Sequence, residues 1–161
     1  MKADSLLPPI AQRPTFLVHR LNAELARICN PLFRRLDVDL ITSRILAVLF
    51  ERERVNVGDL VALMSLPQST VSHQIRRLSE RGLVERRPDA ADNRAYVLTL
   101  TRSGRTTARK CQAISEAVYA EVFADYDEAS LGVLTSALTR MHESLQAMQP
   151  LHARASDGEP S

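Results

Sequence analysis

Residues 56–101 leave the chain few choices of fold. In order, they read as a short helix, a proline turn, a second helix, a glycine stop and a two-stranded ribbon. Asn56 is placed as an N-cap, and Asp59, three residues on, completes a capping box. Leu60, Val61, Leu63 and Met64 then recur at helical rather than strand spacing. Ser65-Leu66-Pro67 ends this helix, because Pro67 disfavours helical geometry at Leu66 yet is tolerated at the start of the next helix.

The spacing predicts the second helix from about Gln68 to Arg81. Val71, Ile75 and Leu78 form its buried stripe. Its other side carries Ser69, Thr70, Ser72, His73, Arg76 and Arg77: hydroxyls near the N-terminus, then longer donors. A helix N-terminus offers free N–H groups and partial positive charge to a phosphate. Gln68, His73 and Arg76 have the reach to read base edges in a major groove. Gly82 is the expected left-handed stop. Residues 83–87 and 95–101 read as strands joined by a polar loop, 88–94. A basic hairpin directly after a helix-turn-helix is a wing, whose tip can enter a minor groove. Between Ser65 and Arg105 eight arginines stand against four acids, giving +4, whereas the whole chain carries only +2. Charge concentrated on one module is the footprint of a nucleic-acid partner.

The run Asp92-Asn93-Arg94, then Leu98-Thr99-Leu100-Thr101 and Gly104, resembles the wing signature of the MarR family of bacterial winged-helix regulators. Ser69-Thr70-Val71-Ser72, with Leu78 and Arg81-Gly82-Leu83-Val84, resembles that family's recognition helix and following strand. The resemblance runs from about Leu17 to Met148. It implies that Asp92 braces the wing and that Arg94 enters the minor groove. His73 departs from the long donor common at its position, which leaves sequence preference open.

Around this module lie helices. Residues 1–13, with Pro8 and Pro9, read as a flexible arm. Thr15 is expected to cap a helix to about Asn30, with Leu17, Leu21, Leu25 and Ile28 as its stripe and Pro31 as a kink or interruption. Asp39 is expected to cap the next helix through Thr42. After the wing, Ser103 starts a long helix with a stripe of Ala108, Cys111, Ile114, Val118 and Val122, broken at Asp125-Tyr126-Asp127. The last helix carries Leu131, Leu134, Leu138, Met141, Leu145 and Met148 at intervals of three, four, three, four and three, a coiled-coil seam. A DNA-binding module of this size does not need such helices for its own core. They are expected to pair two copies, presenting two recognition helices about 34 Å apart to a palindromic operator. The fold class is therefore mainly α: a winged helix-turn-helix over 37–102, with N- and C-terminal dimerisation helices over 14–36 and 103–148 and a disordered tail over 149–161.

No apolar run approaches the ~20 residues of a membrane span, and the N-terminus leads into no signal-peptide core, so the expectation is a cytoplasmic protein with no membrane partner. Two cysteines make no disulfide framework. His19, His73, His142 and His152 form no local metal pair, no cofactor motif stands out, and no nucleophile–base arrangement favours an enzyme. The leading expectation is a ligand-responsive regulator, a repressor by the family's habit. In relatives the effector binds where the dimer helices meet the DNA-binding lobe. Here Arg13, Phe16, His19 and Arg20 lie near that junction, and a cation beside an aromatic ring suits a small organic acid such as an aromatic carboxylate. Two alternatives stand beside it: a thiol-based redox sensor using Cys29 or Cys111, and an architectural DNA-binding protein with no ligand.

Overall fold

The computed structural model describes residues 7–52, 54–89 and 96–148. Its helices are α1 (Pro14–Phe33), α2 (Leu40–Glu51), α3 (Val57–Met64), α4 (Gln68–Glu80), α5 (Arg102–Val122) and α6 (Glu128–Ala147), with strands β1 (Val84–Pro88) and β2 (Tyr96–Leu100) between α4 and α5. Two compact units divide the chain at Ala120 and Glu121. Among the described residues no helix is long and apolar enough to cross a membrane.

The first unit holds the core. Val71, Ile75 and Leu78 of α4 are buried, as their spacing predicts, against Ile45, Leu46 and Leu49 of α2 and Leu60 of α3 in one apolar cluster. Local caps fix where the helices begin. The Asp39 carboxylate accepts from the Thr42 N–H at 2.7 Å. Asn56 and Asp59 form the reciprocal capping box, with bonds of 2.8 and 3.0 Å. Ser65 closes α3 in the left-handed region at φ 52°. At the end of α4 the Gly82 N–H donates to the Ser79 carbonyl and the Leu83 N–H to the Leu78 carbonyl, both at 2.9 Å. This pair of bonds is a Schellman motif, and it needs Gly82 at φ 65°.

Several boundaries depart from the sequence expectation. Arg13, not Thr15, is the N-cap residue of α1, because Pro14 occupies the first helical position, where its fixed φ suits the helix. Pro31 does not end α1, which runs on to Phe33 and into a 3-10 turn, Arg34–Leu36. Pro31 is exposed, while Cys29 and Phe33 on either side of it are buried and hold the backbone in line. Thr101, expected in the strand, instead caps α5: its Oγ1 accepts from the Gly104 N–H at 2.9 Å, so the helix begins at Arg102 rather than Ser103. Leu83, likewise expected in a strand, belongs to the α4 cap.

β1 and β2 pair antiparallel, with Val84 opposite Leu100 and Pro88 opposite Tyr96. Val55 adds a one-residue third strand, its carbonyl accepting from the Leu98 N–H at 2.7 Å. In the second unit Asp127 caps α6 by accepting from the Ser130 N–H at 2.8 Å, and the Ser130 hydroxyl, together with that N–H, holds its carboxyl below the usual carboxylate range. Within this chain α6 has no buried residue, and Met148 lies one place beyond its end. The tail expected over 149–161 lies outside the described residues.

Candidate nucleic-acid interface

The N-terminus of α4 differs from those of α2, α3 and α6. Pro67 stands at its N-cap, and no side chain bonds its first N–H groups. The helix thus opens with free donors next to exposed Gln68 and Ser69, and half-buried Thr70. Ser69, Ser72, His73, Arg76 and Ser79 form one edge of α4, and with Val84, Glu85 and Arg86 of β1 they line a hollow of ≈ 840 Å³. A backbone phosphate or base edge entering there would meet hydroxyls, a ring nitrogen and guanidinium groups.

Arg76 is held in place on this edge. One of its terminal nitrogens lies 3.0 Å from His73 Nδ1, and its Nε lies 3.9 Å from the Glu80 carboxylate. Both contacts are exposed and weak enough to yield to a stronger anion. Arg87 folds back on Glu85, with bonds of 2.9 and 2.5 Å. The Arg86 side chain has no partner among the described residues and faces the hollow. Sequence reasoning counted Arg86 in the local charge but assigned neither it, Ser79 nor Glu85 to the site. Strand alternation gives no sign that β1 shares a wall with α4.

The wing is anchored at its root. Arg54, just before the Val55 bridge, pairs with the Asp89 carboxylate at the end of β1. Asp89 is largely shielded, its side chain 17% exposed. Asp92 and Arg94, expected to brace the wing and to enter the minor groove, lie outside the described residues.

The other residues singled out in the sequence fall elsewhere. Arg13 donates from Nε to the Pro8 carbonyl at 2.9 Å. Phe16 and His19 lie ring to ring, with centroids 6.1 Å apart and planes at 33°. His19 and Arg20 are exposed. Cys29 and Cys111 are free and buried. Burial pushes the Cys111 thiol up to about 11, which keeps it protonated and unreactive at neutral pH.

The helix pair with its hairpin and third-strand bridge defines a winged helix-turn-helix. Residues 36–95, which take in α2, α3, α4 and β1, match the family model described as MarR family. The chain is 23% identical over 105 residues to the HTH-type transcriptional regulator YdgJ of Bacillus subtilis (strain 168), covering 65% of this chain and 64% of that one. It is 21% identical over 135 residues to the HTH-type transcriptional repressor IacR of Pseudomonas putida, covering 84% and 81%. In fold it resembles the crystal structure of the S. aureus MepR–DNA complex, with a TM-score of 0.76 at 20% identity, covering 83% of this chain and 96% of that one.

Proposed function

We propose that this chain is a homodimeric transcriptional repressor that binds a palindromic operator through α4 and the wing and is released by a small organic acid. The observation that carries this reading is the hollow between α4 and β1, where an uncapped helix N-terminus, Ser69, His73, Arg76 and Arg86 converge. MepR, which shares this fold, has been crystallised with DNA, and IacR is a repressor. In this reading residues 37–102 are the DNA-binding lobe. Gln68, Ser69, Thr70, Ser72, His73, Arg76 and Arg77 contact DNA from α4, and Asp92 and Arg94 from the wing. Residues 14–36 and 103–148 form the dimer. Apolar side chains left uncovered on α1 and α6, such as Leu21 at 60% and Leu145 at 53% exposure, support a second copy there. Arg13, Phe16, His19 and Arg20 take the effector. A protein acting on the chromosome works in the cytoplasm. Burial of both cysteines disfavours the thiol switch.

Gel shifts with duplexes flanking the chain's own gene, set against random duplexes, test the reading. Sequence-selective binding that weakens steeply with salt is expected. Arg94→Ala is expected to cost about 1–3 kcal/mol of operator affinity. Failure to bind any duplex better than random would overturn it.

A further inference from the structure

The second edge of α4 sets Arg77, already placed among the DNA contacts, beside Arg34, which neither the motif nor the fold assigns to the site. Gln74, Arg77 and Arg81 lie three and four residues apart, on the side turned away from β1. There they meet Arg34, from the 3-10 turn after α1, around a hollow of ≈ 190 Å³ floored by the start of α2. Most of its polar groups are already engaged. The Asp39 carboxylate caps α2. Arg81 donates to the Asp37 and Leu36 carbonyls at 2.5 and 3.2 Å and lies 3.3 Å from the Asp37 carboxylate. The Thr42 hydroxyl donates to Gln74 Oε1 at 3.3 Å. Arg34 and Arg77 are exposed, and neither side chain has a partner among the described residues. Of the two acids of the hollow, Asp39 is engaged as a cap and exposed Asp37 lies beside Arg81, while Arg34 and Arg77 face the hollow with no ion-pair partner among the described residues.

We propose that Arg34 and Arg77 together hold one phosphodiester of the DNA backbone, on the groove wall opposite the wing. The proposal rests on the DNA-binding reading and extends the footprint past the helix pair onto the end of α1. Backbone rather than base is the expected partner. Only the outward stripe of α4 enters a groove, whereas an arginine on a neighbouring turn reaches the wall beside it. A guanidinium fork matches two phosphate oxygens, and two forks from separate elements fix the register of α4 on the duplex.

The experiment measures affinity of the full chain for operator and random duplexes of equal length across a salt series. The variants are Arg34→Ala, Arg77→Ala, Arg34→Lys and, as a control, Arg35→Ala. Arg35 is an exposed neighbour that does not line the hollow. Arg34→Ala is expected to weaken both duplexes by the same factor, about tenfold, and to flatten the plot of log affinity against log salt by about one unit. Arg34→Lys should recover part of the loss, and Arg35→Ala should change neither quantity. The exposed positions predict unchanged melting temperatures. If wild type binds DNA and Arg34→Ala keeps its affinity and slope, the contact is wrong. An equal loss in Arg35→Ala would reduce the effect to general charge and also overturn it. Inorganic phosphate at constant ionic strength, without DNA, should leave the wild-type melting temperature unmoved. A phosphate-dependent rise that Arg34→Ala abolishes would assign the hollow to a free anion instead. If wild type binds no DNA at all, the DNA-binding reading itself fails.

Discussion

Of the glycines in the first unit Gly104 is the most closely approached, and Gly104→Ala is the sharpest test of how the wing meets α5. A Cβ there would lie 1.9 Å from the Leu83 carbonyl oxygen, 2.9 Å from its carbon and 3.3 Å from Leu100 Cδ2. An ordinary carbon–oxygen contact needs about 3.3 Å, so the backbone pieces must part by more than an ångström. The Leu83 carbonyl cannot simply turn aside, because it accepts from the Thr101 N–H at 3.1 Å. Overpacking against backbone costs about 1–3 kcal/mol. Loss of the Thr101 bond adds about 1 kcal/mol. The better helix propensity of alanine returns about 1 kcal/mol. The net loss is about 1–3 kcal/mol, a fall in melting temperature of roughly 2–12 °C for a chain of this size. Gly82→Ala is the comparison. It meets nothing within 4 Å but must hold φ at 65°, which costs about 1 kcal/mol. Urea unfolding at fixed protein concentration should rank wild type above Gly82→Ala and Gly82→Ala above Gly104→Ala. A Gly104→Ala protein as stable as wild type, or more stable than Gly82→Ala, would refute the reasoning.

Arg54→Ala should cost under about 1 kcal/mol of stability, since Arg54 is exposed, yet weaken operator binding by loosening the wing root; restoration by pairing Arg54→Asp with Asp89→Arg is the check, and native affinity in Arg54→Ala would contradict the brace. Leu138→Asp places an unpaired carboxylate in the α6 seam and should give monomer by sedimentation, whereas a well-folded dimer would show that the seam faces elsewhere. Burial raises the Cys111 pKa from 9.0 to about 11, so the folded chain favours the thiol. Stability from this source is complete below pH 9.0 and is lost as pH rises toward about 11; urea midpoints of wild type should therefore fall more over that range than those of Cys111→Ala, and equal falls would refute it. Calorimetric titration with benzoate-, cinnamate- and indole-type acids should find a ligand whose affinity drops in Arg13→Ala or Arg20→Ala; a binder indifferent to both moves the effector site elsewhere.

What was legible in the sequence was what depends on residues within a few places of one another. The Asn56–Asp59 box, the Asp39 cap, the left-handed Gly82 and the Val71, Ile75 and Leu78 stripe are all set by spacings of three or four, and the structure places each as read. The start of α1 was misread at Thr15, and the interruption allowed for at Pro31 is absent. A preference at one residue decides less than where its neighbours are buried, and Cys29 and Phe33 carry α1 past Pro31. Of the candidate site, the exposed edge of α4 could be read from helical spacing, and what lies off that helix could not. Arg54 and Asp89 are 35 residues apart and are brought together when β2 pairs with both β1 and Val55, while Arg86 reaches the α4 wall only through the turn at Gly82. Spacing placed Arg81 at the end of α4 but gave no sign that it ties that end to the turn after α1.

Only Thr101 stands between the last residue of β2 and the first of α5. Its N–H is bonded to the Leu83 carbonyl, and its hydroxyl, which donates to the Gly82 carbonyl at 2.7 Å, accepts from the Gly104 N–H. A joint this short has no slack. One residue inserted or removed there would turn α5 by about 100° about its axis and swing Ala108 and Cys111 out of the core. Chains descended from a common ancestor with this one can lengthen or shorten at a surface loop. From Leu98 to Gly104 they must keep the same number of residues. That spacing is the ruler against which a distant sequence should be aligned, even where few identities remain.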